Sequence, residues 1–319
     1  MKVLVLGGSG LVGNGIKSIV KYNKTDKYIF SSSKDCDLTK YNDTKKYFES
    51  IKPDKVVHLA AYVGGLFRNL KEKVNMFNIN IAINQNVLLA CHETNVKLCI
   101  CCLSTCIFPD KTNYPINEMM LHNGSPHDSN YSYAYAKRML HIGCRAYNEE
   151  YPEGCKFICV IPTNIYGPHD NFNLEDGHVI PALIHKCYLA KNNDIDFMVF
   201  GSGSPLRQFI YSLDLAKMIE IILENPEPII SSTDDNTIIL SVDEKDEISI
   251  GNVARIIARE FGWEHRIRFD TRFSDGQYKK TADNSKWNSI YDSRIMTNIE
   301  LGIKETIKWF IDNYDNIRK

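Results

Sequence analysis

A doubly wound, parallel α/β sheet followed by a smaller α/β lobe is the fold that this 319-residue chain predicts. Two observations carry the expectation. Apolar runs of strand length alternate with amphipathic, helix-length stretches through the first ~170 residues, which is the pattern of βαβ units with right-handed crossovers. The first of those runs, Lys2-Val3-Leu4-Val5-Leu6, passes directly into Gly7-Gly8-Ser9-Gly10-Leu11-Val12-Gly13, and that turn opens a helical pattern at Ile16, Ile19 and Val20.

Uninterrupted apolar strands belong to sheets covered on both faces. The candidates are Lys2–Leu6, Lys27–Phe30, Lys55–Leu59, Lys97–Leu103 and Lys156–Ile161. Helices are expected near Gly10–Lys21, Asn42–Ile51, Val74–Thr94 and Ser132–Glu150. Beyond Pro168 the alternation loosens. A helix is expected after His178-Val179-Ile180-Pro181, with others near Leu213–Glu224, Ile250–Phe261 and Thr306–Asn313. Strands are expected at Phe197–Phe200, Gln208–Tyr211 and Thr237–Val242, and Ser231-Ser232-Thr233-Asp234-Asp235-Asn236 reads as a polar surface loop. There is no repeat, low-complexity tract or Pro/Ser-rich linker. Residues 1–170 therefore read as a Rossmann-type nucleotide-binding domain to which the chain later returns, and residues 171–319 mainly as the lobe.

Composition excludes several classes. A hydrophobic share of 44% and a charged share of 24% are those of a soluble globular protein. A net charge of -1 gives no electrostatic case for nucleic acid or an anionic membrane. No apolar stretch approaches the ~20 residues of a membrane span. The first strand begins at Lys2, leaving no room for a signal peptide. The ten cysteines, clustered as in Cys99-Ile100-Cys101-Cys102, read as reduced, buried thiols of a cytoplasmic protein. No second ligand pair stands at zinc-site spacing, so no metal is expected.

The spacing G-x-x-G-x-x-G suits a dinucleotide. Gly7 and Gly10 let backbone approach a pyrophosphate, Gly13 permits close packing, and the helix N-terminus supplies N–H donors and positive potential. Ser31, Ser32, Ser33 and Lys34 follow the second strand, where a carboxylate would favour the 2′-hydroxyl of NAD. Three hydroxyls and an ammonium suit the 2′-phosphate of NADP(H) instead, while Asp37 and Leu38 are placed to edge the adenine. Ala60 and Ala61, in His58-Leu59-Ala60-Ala61, are small either for a close dinucleotide or for packing.

Tyr133 and Lys137 stand four apart in a helical stretch and so share a face. An ammonium near a phenol favours phenolate, and Ser104, ending the fourth apolar run, adds a hydroxyl. The trio suits carbonyl reduction, with tyrosine giving a proton and a nicotinamide giving a hydride. Tyr131 and Tyr135 are competing tyrosines, but neither is four residues before Lys137. Cys106, two residues after Ser104, would point the same way on an extended segment. From the residues alone it is either another buried thiol or a base, and His178 either a helix-start residue or an acid.

Together the glycine turn, His-Leu-Ala-Ala, Ser104 and Y-x-x-x-K resemble the extended short-chain dehydrogenase/reductase family, over essentially the whole chain. Val63-Gly64-Gly65-Leu66-Phe67-Arg68-Asn69, Leu103 to Pro109, Pro162 to Phe172 and Gly177 to Pro181 narrow the resemblance to members that act on GDP-4-keto-6-deoxy-D-mannose with NADPH. The resemblance implies epimerisation at C3 and C5 by Cys106 and His178, then reduction at C4 by Ser104, Tyr133 and Lys137. It implies that Cys102, Leu103, Ser104 and Thr105, the run Pro162-Thr163-Asn164-Ile165, Lys137 and His178 border the cofactor. It assigns Lys186, Phe200, Arg207 and Asp275 to the nucleotide-sugar. Phe200 stands where relatives often carry tryptophan, and its phenyl ring can still stack on guanine. A homodimer through the helices near Val74–Thr94 and Ser132–Glu150 is also implied, although their apolar faces could belong to the monomer core. Two other readings remain. A different NDP-sugar epimerase or 4,6-dehydratase is the first, but a dehydratase would carry an Asp-Glu pair where Cys106-Ile107 stands. The second is a non-catalytic NADP-sensing protein, against which retention of Ser104, Tyr133 and Lys137 argues.

Overall fold

The computed structural model describes residues 1–20, 26–232, 235–273, 275–291 and 296–319. Lys21 of the first expected helix, and Thr233 and Asp234 of the expected polar loop, lie outside the described residues. The chain runs β1 (Lys2–Leu6), α1 (Leu11–Val20), β2 (Lys27–Ser31), α2 (Tyr41–Ile51), β3 (Lys55–His58), α3 (Leu66–Lys71), α4 (Lys73–Glu93), β4 (Leu98–Cys102), α5 (Tyr131–Glu150) and β5 (Lys156–Pro162). It continues β6 (Asn164–Tyr166), α6 (Val179–Asn192), β7 (Phe197–Phe200), β8 (Leu206–Arg207), β9 (Phe209–Tyr211), α7 (Ser212–Glu224), α8 (Glu227–Ile230) and β10 (Thr237–Leu240). The last elements are β11 (Ile248–Ser249), α9 (Ile250–Phe261), β12 (Ile267–Asp270), α10 (Ser285–Ile290) and α11 (Ile299–Asp312).

Six strands form one parallel sheet in the order β10-β5-β4-β3-β1-β2. Its continuous apolar strands serve both faces because side chains alternate. Leu4, Leu6, Cys99 and Cys101 pack toward Val87, Leu88, Leu140 and Cys144 of α4 and α5. Val3, Val5, Leu98 and Ile100 pack toward Ile16 of α1 and Leu215, Ile219 and Ile222 of α7. A third core, built from Ile184, Phe197, Val253, Ile257 and Phe310, belongs to the lobe. The lobe adds three two-stranded ribbons: β6 with β9, β7 with β12, and β8 with β11.

The long elements fall where the pattern places them, and the differences have local causes. Gln208, expected to open a strand, precedes it. Its fully buried amide donates to the Val242 and Ala282 carbonyls and accepts from the Ala282 N–H. The last helix starts at Ile299, seven residues before the expected Thr306, because the Asn298 side chain accepts the Glu300 N–H and caps it. The ten cysteines are free, and all but Cys102 are buried. Among the described residues no helix is long and apolar enough to cross a membrane, and no group of three His, Cys, Asp or Glu could hold a metal.

Main-chain atoms also crowd one another in the glycine turn. A Cβ at Gly13 would lie 2.6 Å from the Cα of Gly8 and 2.7 Å from the Gly7 carbonyl oxygen, both main-chain atoms. Gly13→Ala is therefore expected to destabilise the fold by about 1–3 kcal/mol through overpacking. A fall in the urea midpoint checks this, and a wild-type midpoint would show that the turn tolerates the methyl group.

Candidate active site

The strand order reverses beside β1: the chain moves to β2 on one side and to β3 on the other. Ligands of doubly wound sheets lie outside the carboxyl ends of the strands at such a point. Gly7 stands there with φ +79°, and a Cβ on it would come 2.9 Å from the amide nitrogen of Ala60. The glycine turn and Ala60-Ala61 thus face each other across the reversal, followed by the N-terminus of α1. This cradle fits a dinucleotide pyrophosphate, since it offers N–H donors and admits no side chain. Further along the same sheet edge the buried Thr163 hydroxyl has no partner among the described residues, a polar group left for a ligand. His58, at the end of β3, is fully buried and bonded to Asn84, and burial pulls its pKa down to about 4. It is a neutral core residue.

The ribose end departs from expectation in two ways. Ser31 is buried and donates to the Tyr47 hydroxyl, so it turns away from the crevice. A carboxylate is also present after all. Asp35 folds back to accept the Ser32 N–H and hydroxyl, both at 2.8 Å, and these bonds hold its carboxyl below the usual range. Exposed Ser33 and Lys34 remain as the groups open to a 2′-phosphate. Asp37 is bound to the Thr39 N–H and hydroxyl within its own turn, beside half-buried Leu38.

At the centre of the same edge, Lys137 is 2% exposed and its Nζ donates to the Cys102 carbonyl at 2.7 Å. That ammonium lies 5.9 Å from the centre of the Tyr133 ring, one turn earlier on α5. The expectation of a depressed phenol pKa is not met. Burial raises Tyr133 well above its usual value, and the neighbouring Cys106 and Cys102 add to the rise. Burial also pulls the Lys137 ammonium down. Tyr133 is thus a held proton, suited to donation. The competing tyrosines face elsewhere: Tyr131 and Tyr135 border a shallow outer groove with Lys73, Val74 and Phe77.

Ser104 and Cys106 do come together, but not on an extended segment. Ser104 opens a single tight turn, Thr105–Ile107, and its hydroxyl accepts the Cys106 N–H at 3.4 Å. Arg138, next to Lys137, donates to the Ile107 carbonyl at 2.6 Å and fastens that turn to α5. Burial pushes the Cys106 thiol up, while the Lys280 and Lys137 charges and the Ser104 hydroxyl pull it back. Lys280 was not singled out in the sequence. Its charge acts on both Cys106 and Arg207, and burial lowers its own pKa. No motif surrounds it, so only the folded chain brings it to the site. His178 is exposed at the N-cap of α6 and makes no capping bond.

In the lobe, the Lys186 Nζ sits 3.5 Å above the centre of the Phe200 ring, and Phe273 stacks on the same ring at 4.0 Å. Two groups that close to one ring centre must occupy opposite faces. Phe200 thus stands between an ammonium and a second ring, and is 42% exposed. Phe273, an aromatic two residues before Asp275, is the residue that reading overlooked. Arg207 donates to the carbonyls of Leu206 and Gln277, at 2.7 and 2.6 Å, which aims its guanidinium. Asp275 accepts the Ser202 N–H and hydroxyl and so braces the Gly201-Ser202-Gly203 turn.

A parallel sheet with a glycine turn at its strand-order reversal, and Lys137 and Tyr133 further along the same edge, places the chain in the Rossmann-type dinucleotide-binding class. The chain belongs to the NAD dependent epimerase/dehydratase family, which matches residues 3–236. It is 57% identical to GDP-L-fucose synthase of Dictyostelium discoideum, over 99% of this chain and 97% of that one. It is 46% identical to a probable GDP-L-fucose synthase of Drosophila melanogaster, over 100% of this chain and 99% of that one. A GDP-L-fucose synthetase from Naegleria fowleri, solved bound to NADP, superposes with a TM-score of 0.93 at 48% identity, covering 100% of this chain and 95% of that one.

Lys34→Ala should weaken NADPH binding by about 1–2 kcal/mol, the worth of a charged hydrogen bond, and leave NADH binding nearly unchanged. Fluorescence titration with both cofactors checks this. An equal loss for the two would place Lys34 away from the 2′-phosphate.

Proposed function

We propose that this chain converts GDP-4-keto-6-deoxy-D-mannose to GDP-L-fucose, epimerising C3 and C5 and then reducing the C4 ketone. The observation that carries the reading is the joining of Ser104, Cys106, Tyr133 and Lys137 at one crevice mouth, in a chain similar from end to end to GDP-L-fucose synthases. The glycine turn would hold NADPH, which when bound would supply a hydride for C4. Ser33 and Lys34 would take its 2′-phosphate, and Cys102 to Thr105 and Pro162 to Ile165 would line its nicotinamide end.

The ketone acidifies the hydrogens on C3 and C5. Ser104 and Tyr133 donate to the ketone oxygen and stabilise the enolate that forms. Cys106 takes the proton on one face and His178 returns one on the other. The thiol must first ionise, against its burial and with the help of the Lys280 and Lys137 charges. In the reduction Tyr133 passes its proton to the C4 oxygen, with the Lys137 ammonium balancing the phenolate. Lys186 and Arg207 supply cations for the diphosphate. Residues 1–170 serve the cofactor, residues 171–319 mainly the sugar nucleotide, and the reaction belongs to the cytoplasm.

The partner is a second copy. α4 and α5 bury Met76, Val87 and Leu140 in the monomer, yet leave Val74, Phe77, Tyr131, Met139 and Ile142 exposed. That exposed apolar stripe supports a homodimer through these helices. Sedimentation should show two chains, and Val74→Glu should yield one. A wild-type monomer at micromolar concentration would remove the proposal.

The reaction is tested with Cys106→Ser and Tyr133→Phe. Cys106→Ser replaces the thiol with a hydroxyl far too weakly acidic to serve as the base, and GDP-L-fucose formation and solvent deuterium uptake at C3 and C5 should collapse. Tyr133→Phe should lower reduction by orders of magnitude, while NADPH still binds and deuterium uptake persists at a reduced rate. Wild-type product formation by Cys106→Ser would return Cys106 to the rank of a buried thiol.

A further inference from the structure

The segment between β3 and α3 is tied to both halves of the molecule. Asn80 of α4, fully buried, accepts the Tyr62 N–H and donates to the Tyr62 carbonyl, both at 2.9 Å. Asn69 of α3 donates its amide to the carbonyls of Gly64 and Gly65, at 2.8 and 3.0 Å. Between these anchors the Gly65 N–H reaches across to the turn before α6 and donates to the Asp176 carbonyl at 2.9 Å. Gly65 has extended backbone, with φ −65°, which any residue can adopt. Space is what excludes a side chain here. A Cβ on Gly65 would lie 2.9 Å from the Gly177 carbonyl oxygen and 3.1 Å from that of Asp176, both main-chain atoms.

The turn that Gly65 touches has little give. The Asn173 side chain accepts the N–H groups of Glu175 and Asp176, at 2.9 and 2.8 Å, and its carbonyl accepts that of Gly177 at 3.0 Å. A Cβ on Gly177 would lie 2.5 Å from the Asn173 carbonyl oxygen and 2.7 Å from that of Asn171. His178 is the next residue, and its own carbonyl accepts the Ala182 N–H at 3.0 Å in the first turn of α6. A shift of the turn is therefore carried into His178. We infer that Gly65 is a positioning residue for His178: its N–H and its missing side chain fix the turn before α6, and so set where the imidazole stands relative to the cofactor cradle. This rests on the reading that His178 serves the epimerisation. His178 comes from the lobe, whereas the cradle and Tyr133 belong to the sheet and its helices. Gly65, just beyond Ala60-Ala61, refers the one to the other. It meets no reacting atom itself.

Two substitutions disturb this contact in different ways. Gly65→Ala sets a methyl group against the Gly177 carbonyl and must push the turn away. Asn69→Ala keeps Gly65 but releases the two carbonyls that the amide holds. The second variant should fold. The Asn69 Oδ1 is buried with no partner among the described residues, so truncation also removes an unsatisfied acceptor.

Wild type, both variants, His178→Asn and the double variant Gly65→Ala/His178→Asn are compared in two reactions, together with their NADPH dissociation constants. The first reaction is solvent deuterium uptake into GDP-4-keto-6-deoxy-D-mannose with NADP⁺ in place of NADPH, which draws on His178. The second is single-turnover hydride transfer from C4 of GDP-L-fucose to NADP⁺, which draws on Ser104, Tyr133 and Lys137 alone. Gly65→Ala should lower the exchange kcat by roughly 100-fold, the order expected when a reacting group is misplaced by about 1 Å. Asn69→Ala should lower it less. KM, NADPH affinity and hydride transfer should keep their wild-type values in both, and the double variant should exchange no more slowly than His178→Asn. Wild-type exchange by Gly65→Ala overturns the inference. So does hydride transfer that falls in step with exchange, or a double variant slowed by both factors multiplied, since either marks a general disruption. If Gly65→Ala does not fold, Asn69→Ala and its own double variant with His178→Asn decide by the same measures. Wild-type exchange by His178→Asn is a different result, which refutes the role given to that histidine and the inference with it. Absence of exchange in the wild type refutes the reading of the reaction itself.

Discussion

A buried ammonium joins the two elements on which the candidate site is built. Lys137 gives one of its protons to the last carbonyl of β4, and in doing so sets the register of α5 against the carboxyl end of the sheet. A charge taken out of water must be matched locally, so this contact is specific in a way that apolar packing is not. Tyr133 lies one turn before it and Arg138 one residue after it. Through Arg138 the tight turn carrying Cys106 is referred to the same helix. Ser104, Cys106 and Tyr133 thus share one frame, although they come from two segments of the chain.

That frame is dry. Burial is the largest influence on Tyr133, Cys106, Lys137 and Lys280, and in each it disfavours the charged form. Burial therefore holds the protons on the phenol and the thiol and works against the two ammonium groups. In so dry a medium a hydrogen bond to a developing charge counts for more than in water.

The sequence was most legible where the relevant physics is local. The β1 run, the glycine turn, the long helices and the Tyr133/Lys137 pair are all set by spacing along one segment. α3, α8, α10 and the strands β6, β8, β11 and β12 are too short to show a period, and the reading passes over them. Side-chain direction was harder still. Ser31 reads like Ser32, but one faces the core and the other the turn held by Asp35. Cys106 was placed beside Ser104 for the wrong reason, by an extended segment instead of a tight turn. Lys280 and Phe273 carry no local signal at all, because what they meet, Cys106 and Phe200, lies far off along the chain.

The placement of β10 bears on how the chain comes to be folded. This strand, Thr237–Leu240, supplies the outer edge of the main sheet beside β5, which ends at Pro162. During synthesis the first five strands can assemble while the edge of β5, an open row of amide and carbonyl groups, waits for a partner some seventy residues later, a gap of about 15 s at 5 residues per second. The lobe segment that emerges in between must be set aside before the edge can close. An exposed strand edge of that kind is a template for other chains. The nascent protein is thus at its most association-prone when about half of it has been made, and the late arrival of four residues ends that exposure.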